Sequence, residues 1–312
     1  MIAIKTIFVR LFKLIIQLMA KSALLKSSIA KKYWMALTGL FLCLFLTGHL
    51  AGNLQLLVPD NALNFNKYAL FMTTNPAVKL LSYLTYVSIL FHAADGFLLT
   101  YQNIKARPIG YAKSNPGANS SFASRNMAVL GTLILVFIVT HMVNFWAKMH
   151  FDQNIPLHTV TVEVMGQKQD LYLLTNGSYM PTAQVAKSRE EALKSGVPNY
   201  IENRTDFYNA QAKVKVGEGY KDLYKLTVDF FKSKGKLFNA IPNEGLLFTL
   251  LYVLAMGILS FHLLHGFQSA FQSMGLNSSS WMPKIKLFGK AFAIVVPILF
   301  AIIPLYIHFL LK

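Results

Sequence analysis

A chain of 312 residues that is 54% hydrophobic and 14% charged, with a mean hydropathy of +0.43, lies outside the composition of soluble domains. Its single cysteine, Cys43, excludes an intrachain disulfide, a four-cysteine iron–sulfur cluster and a CxxCH haem attachment. The net charge of +17 suggests nucleic-acid binding, but the bases cluster between apolar runs as they do in membrane proteins, so no nucleic-acid partner is expected.

In chain order, residues 1–26, MIAIKTIFVRLFKLIIQLMAKSALLK, alternate bases with Ile, Leu and Phe at helical spacing and predict an amphipathic surface helix. A signal peptide is the rival, opposed by Arg10 and Lys13 within the apolar stretch and by the lack of a small-x-small cleavage site. A start at Met19 is a further alternative. Residues 27–149 carry three runs that reach the roughly 20 apolar residues needed to cross a bilayer: Tyr33–Val58, Leu80–Gln102 and Arg125–Ala147. Residues 150–243 form a soluble insert. In it, alternation around Val160, Val162 and Val164 predicts a small hairpin, and SREEALKSG and YKDLYKLTVDFFKSKG predict helices. The insert is expected to cap the outer face, with a partner-docking surface as the rival, and its His150 and His158 are expected to be solvated. Residues 244–312 hold the last two runs, Gly245–Ser273 and Ala291–Leu311. The predicted class is an all-α membrane protein, a five-helix transmembrane bundle with a soluble insert between the third and fourth helices.

The insert with its flanks, residues 150–244, carries 11 of the 13 acids and 12 of the 30 bases and is nearly neutral. The excess base lies before the first span, between the second and third (Lys105, Arg107, Lys113, Arg125), and between the fourth and fifth (Lys284, Lys286, Lys290). Those segments share one side of the membrane, and positive charge places it in the cytoplasm together with the N-terminus.

The first four spans each hold a histidine well inside the apolar run: His49, His92, His141 and His262. Ionisable side chains at such depth point to function, with hydrogen bonding between helices as the alternative. At about 1.5 Å per residue, His49 and His141 each lie roughly 22–24 Å from the cytoplasmic start of their helices. His92 and His262, on helices of opposite direction, both lie roughly 15 Å from the inner surface. The two depth-matched pairs predict two bis-histidine sites stacked across the bilayer, each suited to a b-type haem. Imidazole on both faces leaves the iron no open position and favours electron transfer.

Glycines follow the same pairing. HAADG and HLLHG place Gly96 and Gly266 four residues after His92 and His262, which lets a flat macrocycle approach the backbone. Gly39 and Gly131 stand ten residues before His49 and His141.

These segments resemble the dihaem cytochrome b anchor of succinate:quinone oxidoreductases, in particular the single-subunit type of Bacteroidetes-like bacteria. The matching stretches are SSIAKKYWMALTGLFLCLFLTGHLAGNLQL, NPAVKLLSYLTYVSILFHAADGFLLTYQN, SRNMAVLGTLILVFIVTHMVNFW and FHLLHGFQSAFQSMGLNSSSW. With the fifth span they cover nearly all the membrane portion; residues 1–24 and much of 150–240 fall outside. The resemblance implies a distal haem on His49 and His141 and a proximal haem on His92 and His262. In the family a glycine follows the fourth-span ligand at four and at thirteen residues, and Gly266 and Gly275 stand so to His262 rather than to His265. The resemblance also implies a flavoprotein and an iron–sulfur protein docked on the cytoplasmic face, a membrane quinone for which menaquinone is favoured, and a bacterial inner membrane. It is compatible with a higher oligomer. The subunit itself would carry no dicarboxylate chemistry.

Asp95 and His265 each stand three residues after a proximal ligand. They are expected to hydrogen-bond between helices, or else to relay protons near a quinone or the haem propionates. The alternatives for the whole chain are a dihaem cytochrome b of a formate dehydrogenase or hydrogenase, and a haem-free membrane transporter or receptor. His308 is expected to be an interfacial histidine and no ligand.

Overall fold

The computed structural model describes residues 27–109, 113, 115–164, 166–235 and 242–311. The expected N-terminal amphipathic helix lies outside the described residues. Five helices are long and apolar enough to cross a membrane, Ile29–Leu57, Pro76–Lys105, Met127–Phe151, Glu244–Ser273 and Met282–Leu310, as expected of a multi-pass membrane protein. Helices suit that setting because every backbone donor and acceptor is paired within the segment.

The first span is α1 (Ser28–Asn53), closed by a tight turn at Leu54–Leu57. The connection to the second span holds a helix that hydropathy does not mark, α2 (Ala62–Thr74). The second span, α3 (Pro76–Lys105), starts on a proline, which has no amide hydrogen to leave unpaired. Asn75 Oδ1 accepts from the Ala77 and Val78 amides at 2.9 and 3.3 Å and satisfies two donors of the first turn. The third span, α4 (Met127–His141), continues as a widened i→i+5 turn over Met142–Ala147. After the insert come α7 (Glu244–Ser273) and α8 (Met282–Leu305), and α8 ends in a second widened turn, Tyr306–Leu310. The fifth helix thus begins at Met282 and not near Ala291. Hydropathy marks where a chain enters hydrocarbon, whereas Lys284, Lys286 and Lys290 continue the same helix beyond it.

The chain forms two compact units. The first comprises residues up to Ala51, Leu80–Phe137 and Tyr252–Ala301. There Phe267 of α7 packs on Phe288 and Phe292 of α8, ring centroids 5.6 Å apart in both pairs. Gly289 permits this approach, since a Cβ at that position would stand 2.7 Å from the Phe267 ring.

The second unit comprises Gly52–Lys79, Ile138–Leu251 and the residues from Ile302. The predicted hairpin is present: β1 (Thr159–Val164) pairs antiparallel with β2 (Gln167–Leu173), and β3 (Tyr179–Pro181) adds to β2. A second sheet follows, β4 (Val185–Ala186) parallel to β5 (Asn199–Glu202), then β6 (Asp206–Asn209) and β7 (Lys215–Glu218) antiparallel. The all-α expectation is corrected accordingly: the molecule is mostly helical, with two small sheets in the insert. The helix α5 (Arg189–Ser195) is capped by Ser188, whose hydroxyl accepts from the Glu191 amide, and ends on Gly196 at φ +69°.

The amphipathic helix α6 (Leu223–Lys232) ties the insert to the ends of the spans. Phe230 stacks on Phe248 of α7 at 4.6 Å and meets Phe145 at 5.0 Å. The Gly245 amide donates to the Ser233 carbonyl at 3.0 Å and so satisfies one open donor at the start of α7. His308 Nδ1 donates to the Phe231 carbonyl at 2.6 Å, so this histidine fastens the end of the fifth span to α6.

His158 is a correction. It is buried rather than solvated, 6% exposed, with Nδ1 3.3 Å from Asn66 Nδ2 and 3.6 Å from Asp222 Oδ2. His150 is exposed, as expected.

Candidate functional site

In the first unit the structure brings the rings of His92 of α3 and His262 of α7 close together. Their ring centroids lie 6.2 Å apart and their planes at 70°. An iron held by one nitrogen of each ring, at about 2 Å per bond, puts the two centroids roughly 6 Å apart. The separation of the two rings thus matches that of two imidazoles on one iron.

Each imidazole is backed by a glycine of the preceding span. A Cβ on Gly39 of α1 would stand 3.1 Å from His92 Cε1, and one on Gly131 of α4 would stand 3.6 Å from His262 Cε1. A Cβ on Gly96 or Gly266, four residues beyond the histidines, would instead stand 3.9 Å from the methyl group of Met35 or Met127. The arrangement is thus duplicated. MALTG of α1 lies against HAADG of α3 as MAVLG of α4 lies against HLLHG of α7.

Five of the ten positions differ between the two halves, and one of these differences places a hydroxyl beside a ring. Thr38 of the first half is replaced by Leu130 in the second. The Thr38 hydroxyl lies 2.8 Å from the Trp34 carbonyl, 3.2 Å from the Met35 carbonyl and 3.2 Å from His92 Nδ1. A hydroxyl has one proton, and the closest acceptor is the Trp34 carbonyl. Towards His92 the Thr38 oxygen is then left to accept, which favours the tautomer with the ring proton on Nδ1 and the lone pair on Nε2. His262 Nδ1, by contrast, is buried and has no hydrogen-bond partner among the described residues. Sequence reasoning missed Thr38, although the LTG/VLG contrast beside the two glycines is visible in the chain.

His49, also in the first unit, stacks on Phe45 at 5.4 Å with an interplanar angle of 14° and meets Phe300 of α8 at 5.7 Å. His141 belongs to the second unit, where its ring lies 5.3 Å from that of Phe145. It is the last residue of α4 before the widened turn. Such turns recur at functional sites.

Asp95 is fully buried, at 0% exposure, and neither carboxylate oxygen has a hydrogen-bond partner among the described residues. Lys31 of α1, half-buried, is the charge that acts on it. His265 is half-buried on α7. Among the described residues no group of three or more His, Cys, Asp or Glu side chains converges as a metal cluster would require.

Compared with family models, curated proteins and solved structures, the chain matches none.

Proposed function

We propose that this chain is the dihaem cytochrome b anchor of a succinate:quinone oxidoreductase, either a succinate dehydrogenase or a fumarate reductase. It would lie in a bacterial inner membrane with its N-terminus in the cytoplasm. The observation that carries the proposal is the closeness of the His92 and His262 rings, 6.2 Å apart, on separate membrane helices and each backed by a glycine. His92 and His262 would hold one b-type haem, and His49 and His141 the other. When bound, the two haems supply reversible one-electron carriage.

The residues around the rings prepare that role. The four histidines are half-buried on membrane helices, and two imidazoles holding one haem would favour electron transfer over oxygen chemistry. Electrons then pass between a docked iron–sulfur protein and a membrane quinone, menaquinone being favoured, while a flavoprotein partner carries the dicarboxylate chemistry. Basic segments at the ends of the spans would face those cytoplasmic partners. Asp95 and His265 are the residues assigned to proton movement beside the site. Asp95 suits this because it is a buried acid with no hydrogen-bond partner among the described residues.

A reduced-minus-oxidised spectrum of the purified chain tests the proposal, with two b-type haems per chain expected and none overturning it. Copurification of a flavoprotein and an iron–sulfur protein separates this role from that of a formate dehydrogenase or hydrogenase subunit. For the relay, Asp95→Asn is expected to slow quinone turnover about 100-fold with the haem spectra unchanged. Wild-type turnover in that variant excludes the relay.

A further inference from the structure

We infer that Thr38 is a positioning residue that makes His92 and His262 unequal ligands of one haem, fixing the tautomer of His92 and lowering the reduction potential at that site. The inference rests on the proposed haem ligation and extends it to a residue that is itself no ligand.

The two halves of the site share a pattern of methionine, glycine and histidine. Met35, Gly39, His92 and Gly96 match Met127, Gly131, His262 and Gly266 in pattern, and a Cβ added to Gly96 or Gly266 would stand 3.9 Å from the methyl group of Met35 or Met127. Thr38 against Leu130 is the contrast beside the rings. Its consequence is local: His92 Nδ1 has an oxygen at 3.2 Å, whereas His262 Nδ1 has no partner among the described residues.

The chemistry follows from where the protons are. Thr38 spends its own proton on a backbone carbonyl of α1, the residue is only 6% exposed, and its oxygen is held towards His92. The His92 ring is thereby oriented before any ligand binds, with the Nε2 lone pair available. A hydrogen bond from the far nitrogen also gives the imidazole more anionic character and makes it the more basic ligand. A more basic ligand stabilises ferric over ferrous iron, so this bond lowers the potential of its haem. His262 Nδ1 has no such bond among the described residues.

Four measurements on the full chain test the inference. In Thr38→Val, which keeps the shape and removes the oxygen, one of the two b components should shift to higher potential in a redox titration. That haem should also be retained about tenfold more weakly. Thr38→Ser should restore wild-type behaviour. Leu130→Thr, placing a hydroxyl beside His262, should shift the same component to lower potential. In apoprotein carrying nitrogen-15 histidine, His92 should show a single Nδ1–H tautomer that becomes mixed in Thr38→Val. Unchanged potentials in both Thr38→Val and Leu130→Thr overturn the inference, as does a mixed His92 tautomer in the wild type. If Thr38→Val does not fold, Leu130→Thr and the wild-type tautomer decide. A wild-type chain that binds no haem refutes the proposed function, and the tautomer measurement then still decides the role of Thr38.

Discussion

Replacing His262 by alanine is expected to leave the chain with one tightly held haem instead of two, and to reduce the b-type α-band to about half. The His262 ring lies 6.2 Å from that of His92, so its removal leaves a single imidazole at that site. On the proposed ligation one iron–nitrogen bond would be lost and the side of the site facing α7 would open. Any haem that remains there is five-coordinate and should bind carbon monoxide, which the wild type with two imidazoles should not. His265→Ala is the matched control. It removes an equally polar ring one turn along the same helix, and both haems are expected to stay. The ratio of haem to protein and the carbon monoxide difference spectrum give the answer. Two haems in His262→Ala, or the loss of one in His265→Ala, would show that His262 is not the ligand.

The pairing of His92 with His262 is legible in the amino-acid sequence because depth in a helix is arithmetic. With about 1.5 Å of rise per residue and alternating directions, ligands on different spans can be matched in height. Direction around each helix relative to its neighbours is not legible in the same way. Gly39 and Gly131 lie ten residues before His49 and His141 in the chain. Ten residues at about 100° each turn the helix through nearly three revolutions and leave the glycine roughly 80° away from the histidine. Those glycines serve the other pair of rings, His92 and His262, and only packing reveals it. Thr38 is hidden for the same reason, since a threonine bonding back to its own helix is common and its second partner is 54 residues away.

The insert is less legible. Strands of two to four residues, such as β4 and β7, are too short for alternation to register, and β4 joins its sheet by parallel pairing across α5. The hairpin is recoverable because β1 and β2 are six and seven residues long and contiguous. His158 shows the limit most clearly. Nothing near it in sequence explains its burial, because its partners Asn66 and Asp222 lie 92 residues before it and in the turn that starts α6.

That cluster supplies the second large effect. Asp222→Ala should destabilise the second unit by roughly 2–4 kcal/mol, summing a lost helix cap with the cost of buried polar groups left unpaired. Asp222 Oδ1 accepts from the Lys225 amide at 2.9 Å, capping α6, and from Asn66 Nδ2 at 2.8 Å. Asn66 is fixed in that orientation because its own oxygen accepts from the Tyr224 amide at 3.0 Å. Burial alone would raise the Asp222 carboxyl, but the neighbouring His158 ring and hydrogen bonds from the Lys225 amide and Asn66 outweigh it and hold the group below the usual carboxylate value. A carboxyl with a depressed pKa in the folded state contributes stability that is complete above its unfolded value, about 3.9, and is lost as pH falls through the lower folded value. Wild-type protein should therefore lose thermal stability as the pH is lowered below about 4, and Asp222→Ala should show a shallower decline from a lower starting point. Asp222→Asn keeps a capping oxygen and should fall between the two at neutral pH. Thermal unfolding in detergent, followed across this pH range, makes the comparison. Equal melting temperatures for wild type and Asp222→Ala at about pH 7 would mean that the Asn66, His158 and Asp222 cluster does not hold α6 against α2.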